Sequence, residues 1–168
     1  SDAGTPGISD PGFRLVRDAR AEGLAVVPVP GPSAVVAALS VSGLPSDRFT
    51  FVGFLPSRSG ARARALSELA PRRETLVFYE SPLRVVAALT DMLAALGDRE
   101  IFLCREATKI HEEYVRGTTS SVLALLAARP EVKGEIVLVV SGAGEAPPAS
   151  KDDVAATYAA LVAAGRPR

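Results

Sequence analysis

The sequence predicts an α/β protein, and three observations predict it. Short apolar runs of strand length, Leu24–Val29, Thr75–Tyr79, Glu100–Arg105 and Gly134–Val140, alternate with longer stretches of helical apolar spacing. Loops of Gly, Pro and Ser join them, as at Gly31-Pro32-Ser33 and Glu80-Ser81-Pro82. Ala, Val and Leu supply most of the apolar mass, whereas aromatic residues make up 5% and Trp is absent.

The first dozen residues, Ser1-Asp2-Ala3-Gly4-Thr5-Pro6-Gly7-Ile8-Ser9-Asp10-Pro11-Gly12, are a loop by composition. Glycine backbone that delivers the chain into a helix N-terminus suits a polar ligand, and a plain connecting turn has the same composition. Phe13–Glu22 has amphipathic helical spacing and stops at Gly23. Leu24–Val29 then reads as a strand of the kind buried on both faces, closed by Pro28 and Pro30. Ser33 is placed to cap a helix from Ala34 to Ser42, with Gly43 at its end. Leu44-Pro45-Ser46-Asp47 reads as a linker.

Phe49–Phe54 reads as a strand, followed by a loop and a helix from about Ala61 to Ala70. This stretch holds Arg58, Arg62, Arg64, Arg72 and Arg73 against Glu68 and Glu74. A solvated helix face and a phosphate-contacting patch both fit it. Strand Thr75–Tyr79 runs into Glu80-Ser81-Pro82 and a helix from Leu83 to Leu96, ended by Gly97. Behind strand Glu100–Arg105 lie Glu106, Thr108, Lys109, His111, Glu112 and Glu113. A short strand at Tyr114–Arg116, a helix over about Ser120–Ala128 and the strand ending at Val140 complete the pattern. Residues 145–150 read as a linker, and residues from about 152 to 164 as a final Ala-rich helix.

The bulk properties bound the function. The 168 residues suffice for one large or two small domains, and 19 basic residues balance 19 acidic ones. No global field therefore favours nucleic acid, although a local patch is compatible with the balance. A single cysteine, Cys104, excludes an internal disulfide and fits a reducing compartment, so a cytoplasmic location is expected. No apolar run reaches membrane-spanning length. His111 stands without Cys or His partners, so no metal site is expected. The chain opens inside a loop without an initiator Met, which predicts a piece of a longer protein.

Several motifs gain meaning together. Residues 1–12, Pro-Gly-Pro-Ser-Ala (30–34), Ser-Gly-Leu-Pro (42–45), Gly-Phe-Leu-Pro (53–56), Phe-Tyr-Glu-Ser-Pro (78–82), Arg-Glu-Ala-Thr-Lys (105–109) and Lys-Gly-Glu (133–135) occur in that order. The series resembles the ribosomal RNA small-subunit methyltransferase I family of the tetrapyrrole methylase superfamily, over residues 1 to about 142. The resemblance implies a tetrapyrrole methylase-like fold of two α/β domains with an S-adenosylmethionine cleft between them. It implies methylation of a cytidine 2′-hydroxyl in small-subunit rRNA, and a homodimer. The family's leading strand and Pro-x-Gly-Asn-Leu loop have no counterpart here, so the first domain is expected to be incomplete. The expected division is residues 1–45 from the first domain, 46–145 as the second, and 146–168 as a linker and the start of a helical segment. Two departures stand out: Leu83 where the family has His, which removes a titratable group, and Ala107 where it has Leu.

Carried onto this sequence, the resemblance implies cofactor contacts at Ala3, Gly4, Thr5, Ile8, Ser33 and Ala34, with Tyr79, Glu80 and Ala107 as further candidates. Arg58, Arg62 and Arg84 are the candidates for RNA phosphate contacts. Methyl transfer to a ribose hydroxyl needs in-line approach and removal of a proton. Glu106 or a neutral Lys109 can take that proton if the segment faces the cleft, and an ion pair at a strand end is the other reading of the two. Two further readings of the chain are a methylase of a tetrapyrrole precursor and a catalytically incomplete RNA-binding fragment.

Overall fold

The structure, a computed structural model, describes residues 4–144. Ala3, the linker from 145 and the helix expected near the C-terminus lie outside the described residues. Within them the order is α1 (Phe13–Ala21), α2 (Ala34–Ser42), β1 (Phe49–Phe54), α3 (Ser59–Leu69), β2 (Thr75–Glu80), α4 (Val85–Leu96), β3 (Glu100–Arg105), β4 (Glu113–Thr118), α5 (Thr119–Ala127) and β5 (Ile136–Val140).

The five strands form one sheet in the order β1-β2-β5-β3-β4. β1 and β2 are parallel, joined through α3, while β5 runs antiparallel to both its neighbours. β4 folds back on β3 as an antiparallel edge. The period-2 alternation of strand side chains then sorts the core into two layers. Leu76 and Phe78 of β2, Leu138 and Val140 of β5 and Ile101 and Leu103 of β3 face α4 and its neighbours through Leu66, Leu89, Met92 and Val122. Val77, Val137, Val139, Phe102 and Cys104 point to the other face, where α2 covers them with Val35, Ala38 and Leu39. Burial on both faces explains why β2, β3 and β5 read as unbroken apolar runs. β4 has one open face and alternates, with Tyr114 and Arg116 exposed.

α2, on the N-terminal side of the boundary expected near residue 45, supplies the cover of the second face. Leu24–Val29 is a correction. It is irregular chain, and Leu24, Val27 and Val29 are 63%, 77% and 82% exposed. A strand exists only where a neighbour takes up its backbone hydrogen bonds, and no described strand lies beside this one. Pro28 and Pro30 withhold two donors besides. α1 forms as expected yet buries none of its residues.

Glu113 fastens the edge hairpin. Its carboxylate accepts from Arg105 Nε at 2.8 Å and from Arg129 Nη1 at 3.0 Å, tying β3 and β4 to the chain beyond α5. The Arg129 hydrogen bond, with help from Arg105, holds its pKa down at about 2. The clamp therefore stabilises the fold fully above the ordinary carboxylate range near 4.5 and is lost as pH falls from there through about 2. An acid titration of wild type against Glu113→Gln is expected to show a stability difference of about 1–3 kcal/mol at pH 7 that vanishes below pH 2.

Candidate active site

The direction of the strands makes one end of the sheet a junction. β1, β2 and β3 all end there, and β5 begins there. The loops that leave the strands are 55–58, 81–84 and 106–112, and residues 133–135 enter β5 beside them. Loops at the carboxyl ends of strands are where open α/β sheets gather ligands.

Tyr79 and Glu80 close β2 and point to opposite faces. Tyr79 lies on the α2 side, edge-on to Phe51 at 5.0 Å and to Phe54 at 5.7 Å between ring centroids. Burial raises its hydroxyl above the ordinary pKa, a hydrogen bond from the Val35 backbone opposes this, and the Glu135 charge adds to it. Ala34, Tyr79 and Ala107 border the same core layer, so three candidate cofactor residues from distant motifs meet there. Ser33 has the extended backbone of a helix cap, but its hydroxyl makes no capping bond to α2.

The opening loop reaches this region. Thr5 Oγ1 donates to the Pro32 carbonyl at 3.0 Å. A Cβ on Gly4 would sit 3.4 Å from that same carbonyl, and one on Gly31 would sit 3.6 Å from Thr5 Oγ1. The two Gly-Pro loops thus lie in van der Waals contact, and the positive φ of Gly4, +78°, suits glycine there. Ser9 Oγ approaches Gly53 of β1, and Ile8 is half exposed. Among the described residues Asp10 Oδ2 is buried with no hydrogen-bond partner.

Glu106 and Lys109 form the ion pair read as one alternative in the sequence. Lys109 Nζ donates to Glu106 Oε1 at 3.0 Å and to Glu135 Oε2 at 2.9 Å. Glu106 also accepts from the Glu135 backbone N–H at 2.8 Å. That backbone bond first, and the Lys109 bond second, lower the Glu106 pKa, while the Glu135 and Glu106 bonds raise that of Lys109. Both carboxylates thus favour the charged form of Lys109. Gly134 makes the arrangement possible: its φ is +89°, and a Cβ there would collide with the Glu106 side chain. Sequence reading missed Glu135 and Gly134, although both stand in the Lys-Gly-Glu motif.

Two arginines expected on RNA make ion pairs within the protein. Arg62 is 5% exposed and donates to Asp91 Oδ2 at 2.6 Å and to the Ser57 carbonyl at 3.2 Å. Burial keeps its guanidinium from phosphate. Arg84 pairs with the buried Glu80 carboxylate at 2.9 Å, and Glu80 accepts from the Ser81 N–H at 2.7 Å. Glu80 lies on the α4 side of the sheet, opposite Tyr79, and braces this loop. Arg58 is exposed, as the phosphate reading requires. A groove of about 160 Å³ lined by Arg48, Arg73 and Glu74 opens where β1 and β2 begin, at the opposite end of the sheet. Among the described residues no group of three His, Cys, Asp or Glu side chains gathers to hold a metal. No helix among them is long and apolar enough to cross a membrane.

Residues 1–123 match the sequence model of the tetrapyrrole (corrin/porphyrin) methylases. The chain belongs to that family. Among its relatives, the ribosomal RNA small subunit methyltransferase I of Halalkalibacterium halodurans is 50% identical over 145 residues, 86% of this chain and 50% of the relative. The protein of that name from Mycobacterium tuberculosis is 51% identical over 166 residues, 98% of this chain and 57% of the relative. The chain thus spans between half and three fifths of the length of these two relatives. A uroporphyrin-III C-methyltransferase from Thermus thermophilus, solved with S-adenosyl homocysteine, shares the tetrapyrrole methylase fold at a TM-score of 0.54 and 23% identity, covering 81% of this chain and 62% of that one. The α/β sheet expected from the sequence is found in the structure, and the superfamily that its motifs resemble is the family whose model it matches.

Proposed function

We propose that the protein takes part in methyl transfer from S-adenosylmethionine to the 2′-hydroxyl of a cytidine ribose in small-subunit ribosomal RNA. What carries the reading is the identity of about half to relatives of that name over most of the chain. The residues present fit the cofactor. Gly4, Thr5 and Gly31 leave backbone accessible between two loops already in contact. Ala34 and Ala107 leave room beside Tyr79, and the unpartnered Asp10 oxygen offers an acceptor for a hydroxyl or ammonium. Ile8 adds an apolar contact, and the free Ser33 hydroxyl a polar one beside the N-terminus of α2. When bound, the cofactor supplies an electrophilic methyl group on a sulfonium.

The chain's own task is to orient the ribose hydroxyl and ease the loss of its proton. Glu106, with its pKa lowered, is ionised at neutral pH and a weak base. Lys109 keeps its charge, which favours the oxyanion character that develops as the hydroxyl attacks. Arg58 meets phosphate, and a cytoplasmic homodimer is the assembly we assign from the family.

Calorimetry with S-adenosyl homocysteine, followed by methyl transfer to isolated small ribosomal subunits and to a precorrin, tests the reading. Binding heat and RNA-only transfer are expected. Transfer to the precorrin alone would reassign the substrate, and heat without any transfer would leave a cofactor-binding piece that lacks catalytic parts.

A further inference from the structure

Phe54 occupies a position that ordinary strand geometry would not give it. β1 pairs with β2 in register through Phe51 opposite Val77, and then the register shifts so that Gly53 faces Phe78 and Phe54 faces Tyr79. Val52 is the extra residue, and Gly53 has a φ of +76°. Regular alternation from Phe51, which packs on the α2 side, would send Phe54 to the opposite face. The bulge turns it back, so that Phe51 and Phe54 both meet the Tyr79 ring. Bulges next to active sites re-aim side chains in this way.

The re-aimed ring stays largely open to solvent. Phe54 is 54% exposed, whereas Phe51 on the same face is half-buried. Tyr79 supports it edge-on, and more than half of the residue faces solvent. Ser9 of the opening loop sits over Gly53, so the ring lies beside the proposed cofactor loops. Exposed Arg58 follows four residues later in the loop after β1, offering a cation for a phosphate. Ring plus cation suits a nucleotide better than an aliphatic chain or a protein surface.

We propose that Phe54 is a stacking platform for a nucleobase of the RNA substrate; the inference rests on the RNA reading above. A nucleobase can also come from the adenine of the cofactor, and the test separates the two. The chain contains no Trp, so Phe54→Trp places a single indole reporter at the platform. Its emission is expected to be quenched by a cytidine-containing single-stranded oligoribonucleotide and to be unmoved by S-adenosyl homocysteine alone. Phe54→Leu, which keeps an apolar side chain without a ring, is expected to weaken that oligonucleotide by about 10-fold with unchanged homocysteine-ligand heat. Quenching by S-adenosyl homocysteine alone would overturn the assignment to RNA. Oligonucleotide binding, followed by anisotropy of an RNA label, without quenching or without loss in Phe54→Leu would overturn the platform while leaving the RNA reading intact. No oligonucleotide or ribosomal-subunit binding by wild type, with cofactor heat retained, would overturn the RNA reading itself and this inference with it.

Discussion

Arg62→Ala is expected to destabilise the protein by about 3 kcal/mol, and Arg58→Ala by less than about 0.5 kcal/mol, although the two arginines are four residues apart. The difference follows from where each guanidinium ends. Arg62 ties α3 to α4 through Asp91 and holds the loop after β1 through the Ser57 and Pro56 carbonyls. Removing it leaves the Asp91 carboxylate, only 21% exposed, without its counter-ion. It also leaves two carbonyls without a donor. A melting point lower by roughly 10 °C is the expected reading. Arg62→Ala combined with Asp91→Ala is expected to recover part of the loss, because the orphaned charge disappears with its partner. Arg62→Lys is expected to recover little, since an ammonium cannot reproduce the fork that reaches both the carboxylate and the loop. Arg58→Ala is expected to leave the melting point in place, weaken RNA binding a few-fold and lower the salt slope by about one. Denaturation and RNA titration at two salt concentrations check both. A stable Arg62→Ala with weakened RNA binding would return Arg62 to the substrate surface.

That contrast marks where sequence reading stopped. Strands β2, β3 and β5 were legible because burial on both faces leaves a continuous apolar run, and their helices because the apolar spacing and terminal glycines agree. The Leu24–Val29 run has the same composition, but strand formation depends on a partner that composition does not specify. Charge was the least legible property. Arg58 and Arg62 look alike in sequence; one helical turn separates a solvated guanidinium from a buried one. Arg84 was hidden in the same way, by a carboxylate four residues earlier that the helix start brings within 2.9 Å. The motif blocks did mark the residues that meet at the sheet's end, as Ala34, Tyr79 and Ala107 show. They did not mark the direction of each side chain: Glu80 and Tyr79 are neighbours in one motif on opposite faces of a strand. The re-aiming of Phe54 needed the register of two strands, which no local pattern carries.

Lys109→Met is expected to reduce kcat for methyl transfer by about 100-fold while leaving S-adenosyl homocysteine binding within about two-fold. The ammonium is placed by its surroundings more than by its own flexible stem. Glu106 and Glu135 grip it from two sides, and Gly134 admits the Glu106 side chain at that spot. The loop backbone is held as well: Glu106 N–H donates to the Glu135 carbonyl at 2.9 Å, and Lys109 N–H donates to the Glu106 carbonyl at 2.9 Å. Glu106 and Thr108 adopt positive φ of 52° and 63°, conformations that non-glycine residues keep only where surrounding bonds enforce them. With 45% of its side chain exposed, Lys109 still offers a face to an incoming oxygen. Because its pKa is raised from an ordinary 10.5 and that of Glu106 is lowered from 4.5, both groups are ionised throughout the neutral range. The pair then gives no inflection in kcat between about pH 6 and 9. Loss of its charge arrangement comes only as pH falls below the ordinary Glu range or rises above the ordinary Lys range. Lys109→Arg preserves the charge and is expected to retain more activity than Lys109→Met. A Lys109→Met protein with unchanged kcat and a lower melting point would make the triad a loop staple. Equal losses of kcat in Lys109→Met and Lys109→Arg would shift the requirement from charge to the particular reach of the ammonium, and a comparison of the two at saturating RNA separates these outcomes from a simple loss of affinity.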